Sequence, residues 1–417
     1  MKFGGRFEIL GKFVSDSLLL WGSQMAGILI SVMATVFVTR ALGPEGRGVY
    51  TWLLTLAGIG SQFAMFGMDT ANRRLAASEP ERIPALLRMN LLVIAVFGAV
   101  VMVVLAGISL SSPMAGITPL ILAMAVVTAP MNAVMMAASS LFVAMRKVGQ
   151  AAWSGFLPKV LLAAGFGVLV WAGMVNVGWV LAANLLAAVF GTLLPLWLLR
   201  YYWRGGGELQ FGPYIRTVWR MCSATYLAGL SYYMMQKVDV LMIGAYMGEA
   251  PTGYYGVASN IADLMIMPIS IIAGMLAARI AAAHQEDKRT GLTRHVVLLT
   301  MGLAVMGCAF TYLIAGWLIR LLFGEAFEPA VLVLRLLCPA VVGLSFFMLM
   351  HNILMATGRA RYLAIPALVG CGANVGLNMI LIPSYGLVGA CVASIVAYPL
   401  AGLVGAAILW RAKGIRS

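Results

Sequence analysis

The sequence predicts an all-α polytopic membrane protein, with about twelve transmembrane helices in two parallel six-helix lobes. Three observations predict it: composition, the recurrence of long apolar windows, and an internal repeat. Of 417 residues, 62% are hydrophobic and 10% are charged, and the mean hydropathy is +0.96. A water-soluble domain is roughly half apolar and about a quarter charged. This chain has too little polar surface to face water, so its solvent is lipid.

A helical crossing needs about 20 apolar residues. Such windows run over 15–39, 49–71, 89–110, 117–144, 151–174, 178–199, 217–246, 253–278, 295–319, 330–356, 361–382 and 387–410. They are continuous, whereas β-barrel strands alternate over about ten residues. The first is too long for a signal h-region and has no A-x-A site behind it, so it is expected to stay as an anchor. Before it, Met1 to Phe13 intersperses Phe3, Phe7 and Leu10 with Lys2, Arg6 and Lys12 and reads as an interfacial helix.

Charge sets the orientation. The formal net charge is +14; in a lipid-embedded chain this reports topology and not a nucleic-acid partner. With the N-terminus cytoplasmic, the inner segments hold 22 Lys and Arg, from Lys2 through Arg73, Arg146, Arg200, Arg279 and Arg359 to Arg416. The outer side holds four: Arg40, Arg47, Arg320 and Arg335. This split supports an even span count with both termini inside a bacterial inner membrane. Only Lys159 and Lys237 remain within the spans.

Cys222, Cys308, Cys338, Cys371 and Cys391 all fall in apolar segments without C-x-x-C spacing, and the three histidines form no H-x-x-x-H. Neither a metal nor a cofactor is expected. No G-x-x-x-x-G-K-[ST] sequence is present to cradle a nucleotide.

The repeat fixes the architecture. Gly43, Gly48 and Tyr50 return as Gly248, Gly253 and Tyr255, each displaced by 205. Pro158 and Gly178 return at 208 as Pro366 and Gly386, and Pro130 at 209 as Pro339. Spans 1 to 6 and 7 to 12 therefore read as two copies of one bundle, over residues 1–199 and 217–417, joined by a cytoplasmic linker at 200–216 with Gly205, Gly206 and Gly207. An even-numbered copy preserves orientation, so the lobes are related by an axis along the membrane normal, an arrangement found in transporters that rock about a shared cavity. Pro130, Pro158, Pro339 and Pro366 are read as bends that permit such movement.

The motifs carry a resemblance. Arg40 to Tyr50 (RALGPEGRGVY), Leu322 to Ala330 (LFGEAFEPA) with Leu334 to Leu337, and Asn374, Asn378 and Ile382 to Ala390 (IPSYGLVGA) together resemble the polysaccharide transporter family. That family belongs to the superfamily of multidrug, oligosaccharidyl-lipid and polysaccharide (MOP) exporters, whose fold includes the MATE transporters. The resemblance implies a flippase for a polyprenyl-pyrophosphate-linked oligosaccharide, and a monomer is expected. It is specific for fold and says little about the glycan. Relatives that flip the peptidoglycan precursor carry additional spans.

Ionisable residues inside the membrane are functional candidates by default. Span 7 carries Gln236, Lys237 and Asp239, and span 8 carries Asn260 and Asp263. Counting inward from the outer turn puts Asp239 and Asp263 both about 11 to 15 Å deep. Two roles are open: Lys237 attracts pyrophosphate while an aspartate exchanges protons or sodium, or a Lys–Asp pair knits the spans together. Lys237 and Asp239, two apart, point to different sides of a helix. Lys159 lines the cavity or snorkels to the inner interface. Arg40 and Arg335 form a basic outer vestibule or anchor their spans at the interface. Asp69 and Arg73, at i and i+4, read as a local pair. Tyr226, Tyr232, Tyr233, Tyr254 and Tyr255 are packing or belt residues, with sugar stacking as the other role.

The function read from these residues is export of a lipid-linked oligosaccharide from the inner to the outer leaflet by alternating access, without enzymatic activity. One rival is a cation-coupled drug or metabolite exporter of the same fold, against which span 1 carries no interior acid. Another is a membrane glycan polymerase or ligase, for which the outer loops are short.

Overall fold

The computed structural model describes residues 4–110, 117–203, 210–282 and 286–414. These are almost entirely helical: α1 (Gly4–Met65), α2 (Met68–Ser78), α3 (Ile83–Leu110), α4 (Pro119–Ala144), α5 (Val148–Trp171), α6 (Val177–Leu198), α7 (Phe211–Met247), α8 (Glu249–Ala282), α9 (Glu286–Phe323), α10 (Pro329–Ala356) and α11 (Ala364–Gly414). No strand occurs among the described residues. The glycines of the predicted linker and the side chains of Met1–Phe13 lie outside them.

Nine helical runs among the described residues are long and apolar enough to cross a bilayer. Two of them are double spans. α1 breaks at Gly43 (φ 68°, ψ 179°) and α11 at Gly386 (φ 60°, ψ −135°), conformations that only glycine adopts cheaply. α7, weighed down by Lys237, Asp239 and its tyrosines, falls short of that apolarity, yet its 37 residues are ample for a crossing. Counting each half of α1 and α11, and α7, restores the twelve crossings predicted from the sequence.

One boundary differs. The second predicted span runs to residue 71, but α1 ends at Met65, where Phe66 (φ 46°) and Gly67 (φ 75°) turn left-handed. α2 then starts afresh as a short helix whose buried Met68, Ala71, Asn72 and Ala76 face the protein while Arg73 and Arg74 are exposed. The ion pairs among the described residues are Arg82–Glu79, Lys237–Asp263 and Arg320–Glu328. The expected Asp69–Arg73 pair is not formed: Asp69 instead accepts a hydrogen bond from Thr70 at 3.4 Å.

The chain divides into two compact units. The first comprises Met1–Leu42, Leu56–Ser111 and Ile117–Ser223; the second takes in Gly43–Thr55 and Ala224–Ser417. In lipid, apolar surface gives helices no reason to associate, so close backbone approach through small residues does the work. In the first unit, Ala125, Ala129, Ala133 and Ala137 form a buried stripe along α4 at i, i+4 spacing. In the second, Ala390, Ala393, Ala397 and Ala401 form a stripe on α11 at i, i+3 and i+4 spacing, each with no exposed surface. Large apolar side chains such as Val103, Trp171 and Leu313 point outward, as a lipid-facing surface requires.

Polar groups hold the first unit together at the start of α7. Tyr214 donates to Asn90 Oδ1 (3.1 Å), Asn90 to Asn72 Oδ1 (2.9 Å), and Asn72 to Ser140 Oγ (2.9 Å). This chain ties α7, α3, α2 and α4 together through buried side chains whose alternative is an unsatisfied polar group.

Candidate functional site

The two charges of α7 go separate ways, as their spacing demands. Lys237 Nζ meets Asp263 Oδ2 of α8 at 2.5 Å, the lysine side chain 19% exposed and the aspartate 39%. The carboxylate side of this pair is therefore open. Gln236, one residue before, is half-buried, and Tyr232, one turn earlier, donates to Met348 Sδ at 3.4 Å. Asn260 lies nearly one turn before Asp263 on α8 and is exposed.

Asp239 faces the interior of the second unit and has no exposed surface. Tyr255 of α8 donates to its Oδ2 at 2.6 Å, Ser394 of α11 to the same oxygen at 2.8 Å, and Asn378 of α11 to Oδ1 at 2.8 Å. Asn378 also donates to Asn374 Oδ1 at 3.1 Å, and its own Oδ1 has no hydrogen-bond partner. Every direct partner of Asp239 is neutral. The assembly follows from the turns. Asp239 and Tyr255 lie nine and seven residues either side of Gly248, and Asn378 and Ser394 eight residues either side of Gly386, so all four reach about the same depth, roughly 12 Å below the turns. Ser394 carried no signal in the sequence, because its distance from Asp239 is 155 residues and its relevance exists only once α11 doubles back.

The remaining predicted residues fall elsewhere. Lys159 of α5 is half-buried, its stem lying over Gly27 of α1, where an added Cβ would stand 2.9 Å from Lys159 Cδ. No acid answers it. Arg40 is exposed near the end of the first half of α1. Arg335 donates from Nε to the carbonyl of Tyr312 at 3.3 Å, with its guanidinium 5.4 Å from that ring. Pro130, Pro158 and Pro339 stand inside α4, α5 and α10. Pro366 is the third residue of α11, in a first turn whose N–H groups have no intrahelical partner to lose, so it starts a helix and does not bend one.

Arg47, counted with the outer charges from sequence, is 3% exposed. α1 resumes its helix directly after Gly43 and carries Arg47 inward, its guanidinium 5.4 Å from the Tyr50 ring and its Nε and Nη1 without hydrogen-bond partners.

The repeat-related turns meet reciprocally. A Cβ on Gly48 would run into the backbone of Glu249, and a Cβ on Gly253 into the backbone of Pro44. Glu249 and Pro44 are themselves 205 apart, so each contact is the repeat image of the other. Thr51 and its repeat mate Gly256 also face one another, with an added Cβ 2.6 Å from Thr51 Cγ2. Trp52 Nε1 donates to the carbonyl of Leu241 on α7 at 3.2 Å.

Comparison with known proteins agrees with this geometry. Residues 37–332 match the model of a family described as polysaccharide biosynthesis protein. An uncharacterised membrane protein of Methanocaldococcus jannaschii is 27% identical over 188 residues, 45% of this chain and 44% of that protein, so the match spans less than half of the relative's length. Among solved structures, an inward-facing multidrug resistance MATE family transporter of the MOP superfamily superposes with a TM-score of 0.72 at 18% identity, covering 94% of each chain. The lipid II flippase MurJ, in an inward closed conformation, gives 0.74 at 11% identity, covering 95% of this chain and 87% of the other. A MOP superfamily transporter from Pyrococcus furiosus gives 0.65 at 17% identity over 96% and 95%. The chain belongs to the polysaccharide biosynthesis protein family and is a multi-pass membrane protein with the two-lobe fold of the MOP superfamily.

Proposed function

We propose that this protein is a flippase that carries a polyprenyl-pyrophosphate-linked oligosaccharide from the inner to the outer leaflet of a bacterial cell membrane. It works as a monomer with both termini cytoplasmic, by alternating access of its six-helix lobes, 1–199 and 217–417. The observation that carries the reading is Lys237. It is a cation deep in α7 whose ion-pair partner, Asp263, is substantially exposed, in a chain of the polysaccharide biosynthesis family. A pyrophosphate entering beside Asp263 competes for that ammonium, and its departure lets the pair reform. The lysine is thereby never left as an isolated charge in a low dielectric. The polyprenyl tail stays in lipid throughout.

Asp239 supports coupling to a cation. Its carboxylate, the unpartnered Oδ1 of Asn378, Asn374 Oδ1 and Ser394 Oγ are oxygens gathered from two helices in an enclosed space, a donor set suited to a proton or to a small hard ion such as sodium. The same feature favours the second reading, a cation-coupled exporter of drugs or metabolites on this fold.

The test is depletion of the protein in its native host. Lipid-linked oligosaccharide should accumulate on the cytoplasmic face and be restored by the wild-type gene but not by Lys237→Ala at equal expression. Continued appearance of the intermediate on the outer face, in a strain without a paralogue, would overturn the flippase reading and leave the exporter.

A further inference from the structure

The exposed side of the second unit carries a charged groove that the function proposed above does not draw on. Along α9, Leu313, Gly316, Trp317 and Leu321 form one stripe at i, i+3, i+4 and i+8, and Val331 and Arg335 of α10 face it. The space between has a volume of about 570 Å³, within the range of small-molecule sites. Gly316 is its floor: an added Cβ would have Val331 Cγ1, at 3.9 Å, as its only neighbour. Leu313 and Trp317 are 77% and 65% exposed, so in a bilayer this groove opens onto acyl chains.

Charge decides what fits. At the helix ends Arg320 is neutralised by Glu328, whose two oxygens accept from Nε at 2.6 Å and Nη2 at 2.7 Å. Those bonds hold the Glu328 carboxyl below the usual carboxylate range. Arg335 acts on Glu328 only through space, lowering that carboxyl further, and no carboxylate among the described residues hydrogen-bonds it. Its Nε takes the Tyr312 carbonyl and its plane rests by the Tyr312 ring, so the three charges that line the groove, Arg320, Glu328 and Arg335, sum to one positive. Arg335 enters six residues into α10, about 9 Å below the helix end, where the unbalanced charge of a lipid-facing guanidinium is costly.

We propose that this groove binds one anionic phospholipid, its phosphate on Arg335 and one acyl chain laid along Leu313, Gly316 and Trp317. The phosphate supplies the missing counter-charge, and the floor left open by Gly316 admits the chain. The orientation proposed above makes the leaflet the outer one; the binding itself does not depend on that orientation or on the transported substrate.

The probe is palmitoyl-oleoyl phosphatidylglycerol against palmitoyl-oleoyl phosphatidylcholine, with the full chain reconstituted in mixtures of the two and retained lipid counted by native mass spectrometry. Wild type should hold one phosphatidylglycerol per chain in preference. Arg335→Ala should reduce that preference about fivefold, the scale of one basic residue at an anionic lipid surface. Gly316→Leu, which fills the floor and leaves every charge in place, should reduce retention of both lipids; it also serves if Arg335→Ala does not fold. Unchanged preference in Arg335→Ala, unchanged retention in Gly316→Leu, or displacement of the bound lipid by a short-chain polyprenyl pyrophosphate at equal concentration would each overturn the proposal. The last would make the groove a substrate site.

Discussion

Lys237 of α7 pairs with Asp263 of α8 at 2.5 Å, while Asp239, two residues further along the same helix, is bonded by Tyr255, Ser394 and Asn378 and forms no ion pair among the described residues. One helix thus presents an open ion pair on one side and an enclosed anion on the other. The two sites are predicted to behave differently.

For the pair, neutralising both partners separates structure from transport. Lys237→Ala alone strands a carboxylate and should lower expression or stability. Lys237→Met with Asp263→Leu removes both charges at similar volume, and buried pairs replaced in this way are often neutral. The double variant should therefore recover normal abundance in membranes and still fail to export. Recovered export measured by outer-face glycan would reduce the pair to a structural role.

For the cage, Asp239→Asn should abolish any stabilisation by cations. Wild-type protein in detergent is expected to gain thermal stability on addition of sodium, or on lowering pH if the ion is a proton, because a ligand bound only by the folded state stabilises it by mass action. The variant should show neither response and should export at least tenfold more slowly. A sodium or pH response that survives in Asp239→Asn would move the coupling site elsewhere.

The reciprocal turns give a test of the repeat. Gly48→Ala and Gly253→Ala each place a methyl against backbone, at Glu249 and Pro44 respectively. Overpacking of this kind costs about 1–3 kcal/mol. Because a Cβ on Gly253 would also stand 3.2 Å from Gly48 N, the two contacts are neighbours and the double variant should be less destabilised than the sum of the singles, measured by thermal unfolding. Strict additivity would show that the two contacts are independent.

In the first unit, Tyr214→Phe removes one hydrogen bond, worth about 1 kcal/mol. Asn90→Leu leaves both Tyr214 and Asn72 short of a partner and should cost about 2–3 kcal/mol. Thermal unfolding of the purified protein distinguishes them, and equal losses would mean that the chain of bonds from Tyr214 to Ser140 does not act as a unit.

The helices and the repeat were legible in the sequence because lipid imposes a one-dimensional rule: each crossing must be long, apolar and continuous, and each reversal needs a residue that can leave helical space. Gly43 and Gly248 announced their turns by the constant offset of 205, and both adopt positive φ. The end of the second crossing was not legible, since Phe66 is an ordinary helix residue and its left-handed backbone goes with ring stacking on Phe97 and Trp219, which come from distant segments. Nor was the burial of Arg47, because a charge beside a turn reads as an outer charge until the helix direction is known.

For the site, residue type alone marks the exceptional positions: Lys237, Asp239, Asp263 and Lys159 are costly in lipid wherever they point, and their depth follows from counting along a helix. Rotation and partners were decided only by the tertiary structure. Depth is a property of one chain segment and its 1.5 Å rise. A partner is a property of two segments, and Ser394 comes to Asp239 only because α11 reverses at Gly386 and lies against α7.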